Sequence, residues 1–286
     1  MLKWQNMPTI GIVFPTLNGW EDTKKCLESI NKLKFSKDRI KVIVVDNGST
    51  DGTIQKLQNS KLPKLQVIIN NKNLGFAKAV NIGIRKSKGE YILITNNDVI
   101  FGSNSVSQSI NYLINNPNTG VVGPEGLKYN FWLGRFKRFT KSDKPVEVDW
   151  IAGHAMLFTK KLWSNLGGFD EQFFFTGEDT DFCLRAKKEG FKSIQVPRAK
   201  IIHKDGSTIN NPKMAYFKYY EGYKSKFRLI LRYGNFLQII SSFCLQIFLY
   251  TPYRGFVLKE KSTVPMIKAL IWNLKKLSFA HTAKTP

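Results

Sequence analysis

The chain has 286 residues, 42% of them hydrophobic and 23% charged, enough for one large α/β domain plus an appendage. Its net charge of +23 calls for an anionic partner such as a phosphorylated substrate, a membrane surface or a nucleic acid. Three scattered cysteines, Cys26, Cys183 and Cys244, exclude a disulfide framework and a CxxC metal site and fit a reducing compartment.

The opening MLKWQNMPTIGIVF has no long apolar run ending in small residues, so no secretory signal is expected. Short β-branched runs follow at 9–14, 41–45, 65–69 and 91–95. Helical patterns lie between and after them at 21–33, 52–58, 76–86 and 103–116. Apolar strands separated by helices predict a doubly wound, mostly parallel sheet, whose ligands bind at the carboxyl ends of the strands. Residues 134–145 (GRFKRFTKSDKP) are basic and aperiodic, and a mobile surface loop is expected there. A strand at 155–159, a Gly167–Gly168 turn, a helix from about Glu178 and a strand ending at His203 complete the first block.

Beyond Pro212 the pattern changes to long helices rich in aromatics and cations, which divides the chain into domains at 1–210 and 211–286. Thirteen Lys and Arg face only Glu221 and Glu260 from Asn211 onward. The most apolar run, 236–250, has about fifteen residues where a bilayer span needs roughly 20. Flanking Arg228, Arg232 and Arg254, with Tyr233, Tyr250 and Tyr253 at its edges, suit a helix lying in the membrane interface. A core helix packed on the first domain is the other reading.

Three segments carry candidate chemistry. VVDNGSTDGT (44–53) sets a carboxylate, an amide and a tight turn at a strand end, suited to a base and ribose or, alone, to an Asx turn. TNNDV (95–99) sets Asp98 at another strand end, where one carboxylate with substrate phosphates suits Mg²⁺ or Mn²⁺; alone, it is also a simple turn. Residues 166–192 gather Asp170, Glu171, Glu178, Asp179 and Asp181 before a basic helical stretch. A capping box from Thr176 to Asp179 explains part of that pattern, but not so many acids beside Phe173, Phe174 and Phe175. A carboxylate at a helix N-terminus is expected to stay ionised and able to accept a proton.

Taken in order, these motifs resemble the family 2 inverting glycosyltransferases of GT-A fold over roughly residues 8–210. FPTLN, VVDNGSTDGT, NLGFAKAVNIGI (73–84), the turn ending in Asp98, GGFDEQFFFTGEDTDFCLR and HKDGS from His203 carry the resemblance. The look is that of the rhamnosyltransferase-like branch. The resemblance implies Asp179 as general base with Glu178 beside it, and Asp98 with His203 on a divalent cation. It implies a donor site of Pro15, Thr16, Asp46, Asn47, Asn73, Gly75, Lys78, Asn81 and Asn97. Trp150, Gly153 and His154 would line the acceptor pocket. Asn97 departs from the family, which commonly has Asp there, and removes one negative charge beside the metal. His203 and His154 have a second reading as polar surface or capping residues.

The expected activity is transfer of a sugar from a nucleotide-diphosphate donor, with dTDP-L-rhamnose first and a UDP-sugar second. The expected acceptor is lipid-linked or a growing cell-surface polysaccharide, met peripherally at the cytoplasmic face of an anionic membrane. An inactive sugar-nucleotide- or glycan-binding module is disfavoured by the presence of both Asp98 and Asp179. Nucleic-acid binding is excluded because zinc spacing, an RNP motif and a helix-turn-helix signature are all missing, and the acids at 170–181 repel phosphate.

Overall fold

The computed structural model describes residues 8–60, 64–137, 143–204, 214–259 and 262–282, with side chains to Lys276. They divide into two compact units. The first comprises Met1–Lys128, Arg138–Phe174 and Glu178–Lys204, and the second Tyr129–Lys137, Phe175–Gly177 and Asp205–Pro286. The expected boundary after residue 210 lies outside the described residues.

The first unit is built on an eight-stranded sheet, β3-β2-β1-β4-β11-β6-β12-β9. Strands β1 (Ile10–Thr16), β2 (Ile40–Asp46), β3 (Leu65–Ile69) and β4 (Tyr91–Thr95) form its parallel half. Beyond β4, β11 (Ala155–Thr159) runs antiparallel to β4 and to β6 (Thr119–Gly123). Strand β12 (Lys192–Gln195) runs parallel to β6, and β9 (Val146–Val148) is antiparallel at the edge. The sheet is therefore α/β and mostly parallel, as in GT-A folds.

Both faces are buried, which is why the strands read as continuous apolar runs. The pleat divides β1 between two cores: Ile10, Ile12 and Phe14 on one face and Val13 on the other. Helices α1 (Trp20–Asn31) and α4 (Ser105–Asn115) cover the first face through Cys26, Leu27, Ile30, Val106 and Ile110. Helices α3 (Phe76–Lys86) and α6 (Glu178–Lys188) cover the second through Val80, Ile84, Phe182 and Ala186. Gly83 lets α3 approach closely, since a Cβ there would lie 2.4 Å from Val13 Cγ1. Two shorter helices, α2 (Thr53–Gln58) and α5 (Lys160–Asn165), complete this unit's connections.

Outside the main sheet, β5 (Val99–Phe101) and β13 (Ile201–His203) form an antiparallel ribbon that sets His203 opposite Val99. Strand β10 (Trp150–Ile151) pairs with the start of β7 (Gly126–Asn130).

In the second unit, Arg135–Lys137 form strand β8 where a mobile loop was expected. Tyr129 holds this arm by edge contacts to Phe131 and Phe136 at 4.7 and 5.0 Å, an aromatic spacing of seven residues that charge alone had masked. Helices α7 (Ala215–Tyr233) and α9 (Thr263–Thr282) enclose a small core of Tyr223, Phe227, Met266 and Ala269. Between them α8 (Phe236–Leu245) opens on an Asn235–Gln238 capping box and continues through two π-helical stretches, Gln246–Tyr250 and Tyr253–Val257. The helical run Phe236–Val257 thus has 22 residues, which corrects the fifteen-residue estimate: by length and composition it can cross a membrane. Only 17% of its most apolar window is buried, and Phe248 and Phe256 are 76% and 86% exposed.

Candidate active site

The strand ends of the first unit carry the predicted groups. At the end of β2, Asp46 is fully buried, and its Oδ1 accepts from the amides of Gly48 and Ser49 at 3.0 and 2.8 Å. Its Oδ2 is buried and meets no donor among the described residues. Asn47 is anchored by its own amide on Thr16 O (2.8 Å) and by its side chain on Asn73 Oδ1 and Gly75 O, both at 3.3 Å. Gly75 has φ +82°, and a Cβ there would lie 2.5 Å from Phe174 O, so this approach admits only glycine. Pro15 and Thr16 end β1 beside this turn, and Thr16 Oγ1 bonds Thr23 Oγ1 at 2.8 Å.

Three predicted donor residues have structural tasks. The Asn97 amide donates to Thr16 Oγ1, Thr23 Oγ1 and Gly19 O at 3.2–3.3 Å, fastening the β4 turn to the start of α1. Asn81 is buried and fully engaged: Nδ2 bonds Phe169 O at 2.8 Å, while Oδ1 accepts from Trp163 Nε1 and Phe169 N. It fixes the loop before α6. Lys78, on α3, is half exposed and lies 3.8 Å from Glu171.

The β5–β13 ribbon brings together residues 105 positions apart: His203 Nε2 lies 3.2 Å from Asp98 Oδ1. Asp98 Oδ1 is buried and faces that ring nitrogen. Asn96 Nδ2 approaches His203 Nε2 at 3.4 Å, and the His154 ring lies against the His203 ring at 4.3 Å. On its other side, His154 Nε2 is 3.4 Å from Glu125 Oε2, and this imidazole holds the Glu125 carboxyl below its ordinary pKa. Glu125 and Asn96 were missed in the sequence. Glu125 follows β6 directly, so the rule that ligands gather at strand ends was the available signal.

Helix α6 begins at Glu178 after Gly177 at φ +98°. The Asp179 carboxylate turns toward the loop before β11. Its Oδ2 accepts from Gly153 N at 3.0 Å, and its Oδ1 from Thr180 N at 2.7 Å. Burial raises its pKa, and these donors together with the Trp150 side chain offset part of the rise. Glu178 is buried more deeply, and its Oε2 meets no donor among the described residues. Burial and then the Asp179 charge push its pKa well above the ordinary value. The two carboxyls are therefore unequal: burial and the Asp179 charge favour the neutral form of Glu178 strongly, while two backbone amides favour the charged form of Asp179 and counter its burial. The expectation of a simply ionised helix-end carboxylate is corrected by this burial. Asp181, by contrast, is bound at 2.8 Å by Arg185 Nε, whose NH1 donates to Leu166 O, and is a structural brace.

Asp98 and His203 suit a divalent cation through one oxygen and one nitrogen donor. Among the described residues no group of three or more His, Cys, Asp or Glu forms a complete metal cage, so substrate phosphate would have to supply further ligands.

Carboxyls gathered at the strand ends of a doubly wound sheet fit a transferase of GT-A type, and comparison with known proteins gives the class. The chain belongs to glycosyl transferase family 2, whose model matches residues 11–164, and a second model, glycosyl transferase family group 2, matches 109–277. It is 28% identical over 216 residues to an N-acetylglucosaminyl-diphospho-decaprenol L-rhamnosyltransferase of Mycobacterium tuberculosis, covering 60% of this chain and 69% of that one. To the dTDP-rhamnosyl transferase RfbF of Shigella flexneri it is 26% identical over 197 residues, covering 63% and 66%. Its fold matches a mannosyltransferase of Pyrobaculum calidifontis in complex with GDP-Man and Mn²⁺, with a TM-score of 0.66 at 18% identity, covering 95% and 88% of the two chains. S. aureus TarS 1–349 in complex with UDP-GlcNAc matches at 0.62 and 20% identity, covering 92% and 79%. The chain is thus an enzyme that transfers a sugar from a nucleotide-sugar donor.

Proposed function

We propose that this glycosyltransferase moves L-rhamnose from dTDP-rhamnose, with inversion, onto a hydroxyl of a lipid-linked or polysaccharide acceptor in cell-surface glycan synthesis. The observation that carries the chemistry is the buried Asp179 carboxylate, aligned by the Gly153 and Thr180 amides, beside a Glu178 whose carboxyl burial pushes well above its ordinary pKa. Similarity to two rhamnosyltransferases supports the choice of sugar, and the name of one supports a diphospholipid acceptor.

In this reading Asp46 Oδ2, buried and without a donor, accepts an N–H from the base, while Asn47 and the Asn73–Gly75 turn shape the nucleoside pocket. Asp98 and His203 would hold Mg²⁺ or Mn²⁺, which when bound would supply positive charge to offset that of the diphosphate. Trp150, Gly153 and His154 border the acceptor. Asp179 takes the hydroxyl proton as that oxygen attacks the anomeric carbon from the face opposite the diphosphate. The bond to the diphosphate breaks, the configuration inverts and the proton remains on Asp179. General-base assistance of this kind contributes roughly 10²–10⁴-fold. The exposed apolar side chains of Phe236–Val257 and the basic charge around them support peripheral attachment to an anionic membrane at the cytoplasmic face.

A UDP-sugar is the second reading, supported by the fold shared with TarS. The test is thermal stabilisation by dTDP-, UDP- and GDP-sugars with and without Mn²⁺, because a ligand of the folded state raises apparent stability. Selective, metal-dependent stabilisation by dTDP-rhamnose is expected. A response to UDP-sugars alone replaces the donor, and no response in folded protein overturns the donor site.

A further inference from the structure

The second unit contains a cavity of about 1000 Å³. It is at the upper end of the size of small-molecule sites. Four cations line it, Arg135, Lys218, Lys226 and Arg254, and no Asp or Glu does among the described residues. Arg135 and Lys226 approach the same ring: the Arg135 guanidinium carbon lies 5.7 Å and the Lys226 ammonium 5.8 Å from the centre of Tyr250. Lys226 is held in place by Gln246, which is itself tied to Thr251 Oγ1 at 3.0 Å. Burial, followed by the charges of Arg254 and Arg135, lowers the Lys226 pKa to about 8. Such a cluster is costly without a counter-charge, and an anion of two or three negative charges relieves it.

The rest of the wall is apolar. Leu249, Tyr253 and Leu258 are each about half exposed (54%, 52% and 50%) and give the cavity an open apolar rim beside its cations. The π-helical stretches contribute here too, supplying Gln246, Leu249, Tyr250, Tyr253 and Arg254 to the wall. Phe175 and Thr176, also in the wall, precede Asp179 by four and three residues in the chain.

We propose that this cavity binds the diphosphate and the first chain units of a lipid diphosphate, the carrier end of the acceptor. The cations take the diphosphate, and the Leu and Tyr rim takes the start of the hydrocarbon chain. The proposal rests on the lipid-linked acceptor named above and assigns that acceptor's anionic end to the second unit. A bare polyanion would leave the rim unused, and a neutral lipid would leave the cations unused.

The experiment titrates full-length protein with farnesyl diphosphate by calorimetry, alongside inorganic pyrophosphate, farnesol and phosphatidylglycerol vesicles. Farnesyl diphosphate is expected to bind at least tenfold more tightly than pyrophosphate or farnesol. Arg135→Ala/Arg254→Ala, at two exposed positions compatible with folding, is expected to weaken it at least tenfold. Equal binding of pyrophosphate overturns the lipid assignment in favour of a phosphate site. Displacement of farnesyl diphosphate by phosphatidylglycerol vesicles overturns it in favour of a general headgroup site, and unchanged binding by the double variant overturns the location. Donor-induced stabilisation, measured on the same variant, separates the two claims. If it persists while farnesyl diphosphate fails to bind the wild type, only this inference falls; if it is absent while farnesyl diphosphate binds, only the donor reading falls.

Discussion

Gly153 donates its amide to Asp179 Oδ2 at 3.0 Å, so the loop before β11 aims the carboxylate that α6 supplies. A Cβ on Gly153 would meet Asp179 Oδ2 at 3.5 Å, an ordinary contact, so the amide rather than the missing side chain matters. Asp179→Asn keeps the shape and loses the proton acceptor. Its kcat is expected to fall by about 10²–10⁴-fold while donor-induced thermal stabilisation stays near wild type. Turnover within tenfold of wild type would remove Asp179 as the base.

The pH profile should carry the same signature. Burial raises the Asp179 pKa from its ordinary value, and a base works only when ionised. The acid limb of kcat/KM is therefore expected at a higher pH than an exposed aspartate gives, with activity falling as pH drops through that value. A profile flat down to about pH 4 contradicts the burial argument.

Glu178 predicts a stability effect of defined sign. Its folded pKa lies well above the unfolded value, so the neutral form is favoured in the native state. Stability from this group is fully present below about pH 4 and is lost as pH rises through the raised folded value. Glu178→Gln should abolish that alkaline loss, flattening the dependence of Tm on pH. An unchanged Tm profile would show that Glu178 titrates elsewhere.

Metal dependence is read at Asp98. Its buried Oδ1, with His203 Nε2 at 3.2 Å, makes Asp98→Ala a variant expected to lose Mn²⁺-dependent donor binding at least tenfold. Full wild-type activity in EDTA would count against the cation altogether.

Two glycines within helices should respond oppositely to substitution. Gly83→Val forces its side chain against Val13 and Val45 and is expected to cost about 1–3 kcal/mol in denaturant unfolding. Gly222 has open space around its missing Cβ, and Gly222→Ala is expected to stabilise by about 0.5–1 kcal/mol.

Much of this could be read in the sequence because local pattern and tertiary environment agree. The β4 and β11 boundaries coincide with the apolar runs that define them, since a strand buried on two faces must be apolar throughout, and the β3 and α3 boundaries coincide with their predicted ranges as well. What escaped depends on long-range pairing. The contact between His203 and Asp98 arises from a three-residue ribbon too short to have a period, and Glu125 joins through His154. Asn81 and Asn97 show the same dependence, since the backbone groups their amides satisfy, Phe169 O and Gly19 O, lie 88 and 78 positions away in the chain. The length of Phe236–Val257 was underestimated because Pro252 suggests an end, whereas the run passes through it with a helical φ of −59°.

The second unit is assembled from three separate stretches of chain, two of them inserted within the first unit's sequence. Homologous recombination at a single crossover near residue 205 would therefore give a hybrid whose helices come from one parent and whose Tyr129–Lys137 arm comes from the other. The cavity's cations would be divided in the same way, with Arg135 inherited from one parent and Lys226 and Arg254 from the other. Moving the whole cavity between relatives thus requires moving three pieces at once, and a library shuffled at one junction would consist largely of mismatched halves.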